Sequence, residues 1–499
     1  MTAGGTHNRV VVGSSWLIAL QAVERLIGLV SIAILARLLT PADFGVVAVA
    51  MTVVAAVEIT SAFGFDWALV RHRELTAGDL NTAWTLRALM GLGSFAALGL
   101  LGPPAAAFYR LPPLGSVLLV LGLASFVGSL ENIGTVYFRR EFAFHKEFLL
   151  RVSTKLSGFV VSIPVALVYR SYWALVAGTL TLKAGSTVMS YVLHPFRPRP
   201  TLTRARELFG FSSWFLLGNL VDYCRDRFSS VYLGRVFGPH VTGLFSVAWE
   251  LSEAPLTAFA GPVNRVAYSK YAEDIQANRT LTHSYLEIAS LIWMISLPMC
   301  AGLIAVAAEV VRLVLGPQWQ RAEMVVRLFS LSVAFGVMTA NTHYVYWALG
   351  HTKATAALSA VSAAIIIPAI IVCSHLAGYQ GVAIASAVAG ATLVPINFTM
   401  LRRMAGIRFA DLWARVWRVT LGASAMLIVL LAALPSSTHE TARAAALLLS
   451  IKMVVGAAIY VAAVAVMWFG CGRPEGPERR ILQLALQWWR RPLRQAAKP

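Results

Sequence analysis

Fourteen apolar stretches, each a candidate to cross a lipid bilayer, follow one another along the chain with only short polar connections. They run roughly 11–36, 45–63, 82–101, 115–137, 154–169, 172–193, 208–234, 241–264, 281–307, 324–349, 355–373, 381–401, 416–434 and 444–468. A spanning helix needs about 20 predominantly apolar residues, because only a helix satisfies its own backbone in lipid. The expected fold is therefore an all-α integral membrane protein of about 14 transmembrane helices. Composition agrees: only 13% of residues are charged and mean hydropathy is +0.69, against about 25% charged residues in soluble domains. No connection is long enough for a soluble catalytic head.

The net charge of +19 would suggest nucleic acid in a soluble chain. Here the bases fall between the apolar runs, so no nucleic-acid partner is expected. With the N-terminus inside, 26 Lys and Arg fall on cytoplasmic segments and seven on the outside (Arg37, Arg110, Arg170, Arg235, Arg312, Arg321 and Arg443). That asymmetry places both termini in the cytoplasm. Residues 479–491 alternate Arg and Gln with Ile481, Leu482, Leu484, Leu486, Trp488 and Trp489. This pattern predicts an amphipathic helix in the headgroup region, its arginines on anionic lipid. The four cysteines are scattered and no cofactor or metal motif occurs, so neither a disulfide framework nor a metal site is expected.

An internal repeat organises the chain. At an offset of 198, Ser14-Ser15-Trp16, Val23, Ser31, Leu35, Arg37, Pro41, Gly45, Val49 and Ala50 recur as Ser212-Ser213-Trp214, Val221, Ser229, Leu233, Arg235, Pro239, Gly243, Val247 and Ala248. Glu24 falls on Asp222. Six spans separate the copies, so both have the same topology and are related by an axis along the membrane normal, a transporter plan. Two pseudo-symmetric six-helix lobes follow, 1–200 and 201–405, with two extra helices in 406–470 and a basic tail in 471–499.

Ionisable residues inside spans are costly and mark cavities or pathways. Span 1 carries Glu24 and Arg25; span 7 carries Asn219, Asp222, Arg225, Asp226 and Arg227; span 2 has Glu58 and span 8 has Glu250 and Glu253, three apart on one face. Arg25, Asn219, Arg225 and Arg227 are candidate substrate-binding residues. Arginine offers a planar fork for phosphate, which favours an anionic headgroup over a greasy cation. Glu24, Asp222, Glu250 and Glu253 are candidates for binding a coupling ion or for pairing with arginine. Arg87, Lys155, Lys183, Arg327 and Lys452 are expected to snorkel.

Several segments resemble the Wzx-type polysaccharide flippases. They are Ala36-Arg37-Leu38-Leu39-Thr40-Pro41-Ala42-Asp43-Phe44-Gly45, Ala68–Arg71 with Glu74-Leu75-Thr76 and Asp79–Ala83, Tyr172–Gly178, and Leu315-Gly316-Pro317-Gln318-Trp319. The exopolysaccharide branch (colanic acid, succinoglycan, xanthan) is the most similar. The resemblance spans about residues 10–405 and implies the fold of the superfamily that also holds multidrug exporters and the lipid II flippase, two lobes in a V around a cationic cavity. It further implies a non-enzymatic flippase of the bacterial inner membrane. That flippase would move undecaprenyl-pyrophosphate-linked oligosaccharide to the periplasmic leaflet by alternating access, coupled to cation counter-flow. Implied partners are membrane lipid, a polysaccharide polymerase and a chain-length regulator. The alternatives are a cation-coupled small-molecule exporter and a membrane-bound polysaccharide polymerase.

Overall fold

The computed structural model describes residues 3–59, 76–141, 143–203, 213–434, 442–474 and 476–480, and among these every regular element is helical. In chain order the helices are α1 (Ala3–Leu38), α2 (Pro41–Ile59), α3 (Ala77–Tyr109), α4 (Leu114–Ser129), the short α5 (Val136–Arg140), α6 (Phe144–Tyr169), α7 (Trp173–Leu193), α8 (Ser213–Val236) and α9 (Gly238–Gln276). There follow α10 (Leu281–Ala305), the one-turn α11 (Ala307–Val310), α12 (Ala322–Thr339), α13 (Thr342–Ala348), α14 (Thr352–Ala377), α15 (Gln380–Ala405), α16 (Phe409–Ala433) and α17 (Ala442–Gly470).

Among the described residues, the apolar stretches fall on helices, and ten helices are long and apolar enough to cross a membrane by length and composition alone. Apolar side chains face outward, Leu100 at 79% and Leu376 at 82% exposure, the arrangement of a surface solvated by lipid. Two stretches are broken where continuous spans were expected. The fourth ends at Ser129 and resumes as α5, and the tenth ends at Thr339 and resumes as α13. Residues 481–491 of the expected amphipathic tail and the segment 68–75 lie outside the described residues.

Packing divides the chain into two units: residues 1–247 with 314–319, and 248–313 with 320–499. These units are not the lobes expected from the repeat, whose boundary is near 200: α8 packs on α2 and α3. Tyr223 on α8 donates to the Thr52 carbonyl at 3.0 Å, and Gly234 lies against Val49 and Tyr109.

In the first unit three of the segments of family resemblance converge, 36–45, 172–178 and 315–319. Thr40 and Asp43 form a reciprocal capping pair, with the Asp43 N–H on Thr40 Oγ1 and the Thr40 N–H on Asp43 Oδ2; Pro41 follows at the first helical position, where its missing N–H costs nothing. The second Asp43 oxygen accepts from the Tyr172 N–H at 3.0 Å. Ala36, near the end of α1, has a carbonyl that no later helical turn can satisfy; Gln318 Nε2 and Trp319 Nε1 both donate to it, at 2.7 and 2.8 Å. Gly316 makes that approach with φ +106°, a conformation that favours glycine.

The second unit holds a large core from Ala260 to Leu430 around Trp293, Tyr285 and Tyr346. Two closed ion pairs fasten the last helices to it. Lys452 on α17 donates to Glu309 at 2.6 Å, with side-chain exposures of 0% and 3%. Arg418 on α16 forks onto Glu478 at 2.8 and 3.3 Å. Lys452 therefore does not snorkel as expected: the Glu309 carboxylate on the one-turn α11 gives its ammonium an internal partner.

Candidate functional site

A cavity of about 490 Å³ opens within the first unit between α1, α3, α6 and α7, against the break that follows α4. Its charged lining is Glu24, Arg87, Glu131, Glu147, Arg151 and Lys155; Thr135, Thr154 and Ser186 add hydroxyls, and Phe138 is its one aromatic. Glu24 comes from the middle of α1, with its carbonyl taking a hydrogen bond from Lys155 Nζ at 2.6 Å. Gly28, one turn on, leaves room for that ammonium, since a Cβ there would lie 3.3 Å from Nζ. Lys155 thus belongs to the cavity rather than to a span end. Arg151 lies between two carboxylates, 3.8 Å from Glu24 and 3.4 Å from Glu147.

The break after α4 shapes the cavity wall. Asn132 is fully buried there; its Oδ1 accepts from the Gly134 N–H, and its Nδ2 donates to the carbonyls of His194 and Phe196. Its own N–H donates to Ser190 Oγ at 2.9 Å. These bonds end α4 and turn Glu131, Thr135, Val136 and Phe138 toward the cavity. The second unit has the same device. Phe126, Asn132, Val136 and Tyr137 recur in spacing as Phe335, Asn341, Val345 and Tyr346, and Asn341 is buried at the break between α12 and α13. Asn341 accepts from the Tyr271 hydroxyl and donates to Asn264 Oδ1. Interrupted backbone at membrane depth survives only where such groups satisfy it.

The expected site residues separate into groups. Arg25 is partly buried on α1, one residue past Glu24. Asp222, Arg225 and Arg227 share α8. There Arg225 lies 3.0 Å from Asp222 and forks onto Asp226 at 2.8 and 3.2 Å, while Arg227 is exposed. Asn219 is on the same helix, its side chain outside the described residues. Glu250 and Glu253 are on α9 in the second unit. Glu58 accepts from Ser125 at 2.7 Å. Arg87, Glu131, Glu147, Arg151 and Lys155 were not among the expected site residues. Their one signal was the spacing of Glu147, Arg151 and Lys155, four apart on one helical face. Among the described residues no cluster of side chains could hold a metal ion.

Comparison with known proteins agrees with this architecture. The chain is 22% identical to the lipopolysaccharide biosynthesis protein WzxC of Escherichia coli (strain K12) over 399 residues, 79% of this chain and 80% of that protein. It is 25% identical to the succinoglycan biosynthesis transport protein ExoT of Rhizobium meliloti (strain 1021), over 64% of this chain and 65% of that one. Among solved structures, the lipid II flippase MurJ in an inward closed conformation superposes with TM-score 0.74 at 13% identity, covering 92% of this chain and all of MurJ. An inward-facing multidrug resistance MATE family transporter of the MOP superfamily gives 0.63 at 16% identity, over 77% of this chain and 95% of that one. The fold is thus shared with MurJ and MATE transporters, in a multi-pass membrane protein. The family described as polysaccharide biosynthesis protein matches residues 34–325, more than half of the sequence, and the chain belongs to it.

Proposed function

We propose that this protein is a flippase that moves undecaprenyl-pyrophosphate-linked oligosaccharide from the cytoplasmic to the periplasmic leaflet of a bacterial inner membrane. It does so by alternating access with cation counter-flow, both termini in the cytoplasm, and supplies a separate polysaccharide polymerase and chain-length regulator. It performs no covalent chemistry itself.

The observation that carries this reading is the charge-lined cavity inside a membrane-spanning unit of a polysaccharide biosynthesis family member. Ionisable groups at membrane depth are retained where they meet a substrate, an ion or water. In this reading Arg25, Asn219, Arg225 and Arg227 receive the pyrophosphate, which displaces Asp222 and Asp226 from the Arg225 guanidinium. Glu24 and Asp222, at matched positions of the repeat, change protonation or ion occupancy as the protein alternates, with Glu250 and Glu253 serving the second unit. The prenyl chain stays in lipid.

The test is a leaflet assay in proteoliposomes. Lipid-linked oligosaccharide is loaded in one leaflet and followed into the other, with and without a proton or sodium gradient. The expected result is gradient-stimulated translocation, lost in Arg227→Ala and uncoupled from the gradient in Glu24→Gln. Export of a soluble cationic dye with no lipid-linked glycan moved would overturn the substrate and favour a small-molecule exporter.

A further inference from the structure

We infer that the cavity of the first unit is a glycan subsite: it takes sugar residues, not the pyrophosphate, and holds them by hydrogen bonds from their hydroxyls to Glu131 and Glu147 and to their oxygens from Arg87 and Arg151. This rests on the flippase reading and assigns the two polar parts of that substrate to separate places.

The lining decides the ligand class. Three carboxylates stand among three cations, so a bare phosphate would meet as much repulsion as attraction, and a lipophilic cation would meet the same from Arg87, Arg151 and Lys155. A polyhydroxyl group without net charge suits both signs at once. Each hydroxyl donates to a carboxylate and accepts from a guanidinium, and bonds to ionised groups are the stronger kind. Phe138 offers an apolar face for the C–H side of a sugar ring. About 490 Å³ lies within the ~300–1,000 Å³ range of small-molecule pockets.

The ion pairs of Arg151 in this cavity differ from the two closed pairs of the second unit. Lys452–Glu309 and Arg418–Glu478 close to 2.6 and 2.8 Å with every side chain at 5% exposure or less. Arg151 stands 3.8 Å from Glu24 and 3.4 Å from Glu147 with 46% of its side chain exposed. Those separations exceed a made charge-assisted hydrogen bond of about 2.7–2.9 Å. A hydroxyl can therefore enter between Arg151 and its carboxylates without breaking a closed pair. The fully buried Asn132 holds the wall that carries Glu131 and Phe138, so the subsite is formed before ligand arrives.

The test uses the purified full chain in detergent. The probe is the oligosaccharide released by mild acid from the lipid-linked intermediate that accumulates in the host when this chain is deleted. Saturable binding by equilibrium dialysis is expected, weakened about tenfold or more in Glu131→Gln and abolished in Ser186→Leu, which fills the cavity. Thermal melts matching wild type show that both variants fold. Inorganic pyrophosphate and tetraphenylphosphonium should not compete. Absence of saturable glycan binding, competition by pyrophosphate, or unchanged affinity in both folded variants would overturn the subsite. The assay needs no leaflet or gradient, which separates the two readings. Glycan binding without translocation in liposomes sinks the flippase and leaves the subsite, while translocation without binding of the free glycan does the reverse.

Discussion

Gly45 and Gly243, which occupy the same position in the two copies of the repeat, each lie against the backbone of the other copy's helix start. A Cβ on Gly45 would overlap the carbonyl oxygen of Pro239, and a Cβ on Gly243 would overlap that of Pro41. Pro41 and Pro239 are themselves repeat partners, so the contact is reciprocal, the intramolecular counterpart of an isologous interface. Alanine at either site must push backbone apart, because no flexible side chain can yield. Gly45→Ala and Gly243→Ala should each lower stability by about 1–3 kcal/mol, the range for overpacking. The double variant should lose less than the two together, since one junction is broken twice. Gly93→Ala on α3, where a Cβ meets nothing within 4 Å, is the control. Melting curves in detergent decide it, and Gly45→Ala melting like Gly93→Ala would dismiss the contact.

The helices and the repeat were legible in the sequence because apolar length and ungapped identity are local signals. Pro41, Gly45, Pro239 and Gly243 stood out as repeat identities, but only packing showed that matched positions touch. The breaks at Asn132 and Asn341 were hidden for a different reason: apolar composition continues across them, and a hydropathy window cannot see a buried asparagine ending a helix. The cavity was half legible. Glu24 was conspicuous in an apolar run, whereas Glu147 and Arg151 read as loop because α6 begins ten residues before its apolar stretch. Lys452 looked like a snorkelling lysine because its partner Glu309 is 143 residues away, a distance no local pattern bridges.

Stability should fall in acid through Asp274 at the polar end of α9. The Ser284 hydroxyl donates to its carboxylate and Lys270 lies at 3.1 Å, which together hold its pKa below the ordinary 3.8. A carboxylate whose folded pKa is depressed contributes stability above its unfolded pKa and loses it as pH falls through the folded one. Wild type should therefore exceed Asp274→Asn by at most about 1 kcal/mol near neutrality. That margin should vanish from about pH 4 downward. Denaturation of both proteins from pH 7 to pH 3 measures it, and a margin that grows in acid would contradict the assignment.

The Lys452–Glu309 pair ties the last span to α11, and Lys452 Nζ also reaches the carbonyl of Ala305 at the end of α10, at 3.4 Å. Removing one member leaves a charge without its counter-ion in a dry interior. Lys452→Met should cost about 3–5 kcal/mol, while Lys452→Met with Glu309→Gln should recover most of that loss. Thermal melts in detergent and the yield of folded protein provide the comparison. A double variant no better than Lys452→Met would mean that the lysine acts through the Ala305 carbonyl instead.

Asn132 and Asn341 perform the same local task in the two units, yet their substitution should have different consequences. Asn132→Ala strands the Gly134 N–H and leaves the His194 and Phe196 carbonyls with Arg197 Nη1 alone; Asn341→Ala strands the Tyr271 hydroxyl and a bond of Asn264. An orphaned buried polar group costs about 1–3 kcal/mol, so both variants should melt lower than wild type. Asn132→Asp should do no better than alanine, since its carboxylate would face two carbonyl oxygens. Only Asn132 stands beside a residue that lines the cavity, so Asn132→Ala should also change the alkylation rate of a cysteine placed at Glu131. Asn341→Ala should leave that rate as it was. Equal effects of the two alanine variants on the Glu131→Cys reporter would mean that the break after α4 does not set the cavity wall, and that the two asparagines serve only to close the helix ends they cap.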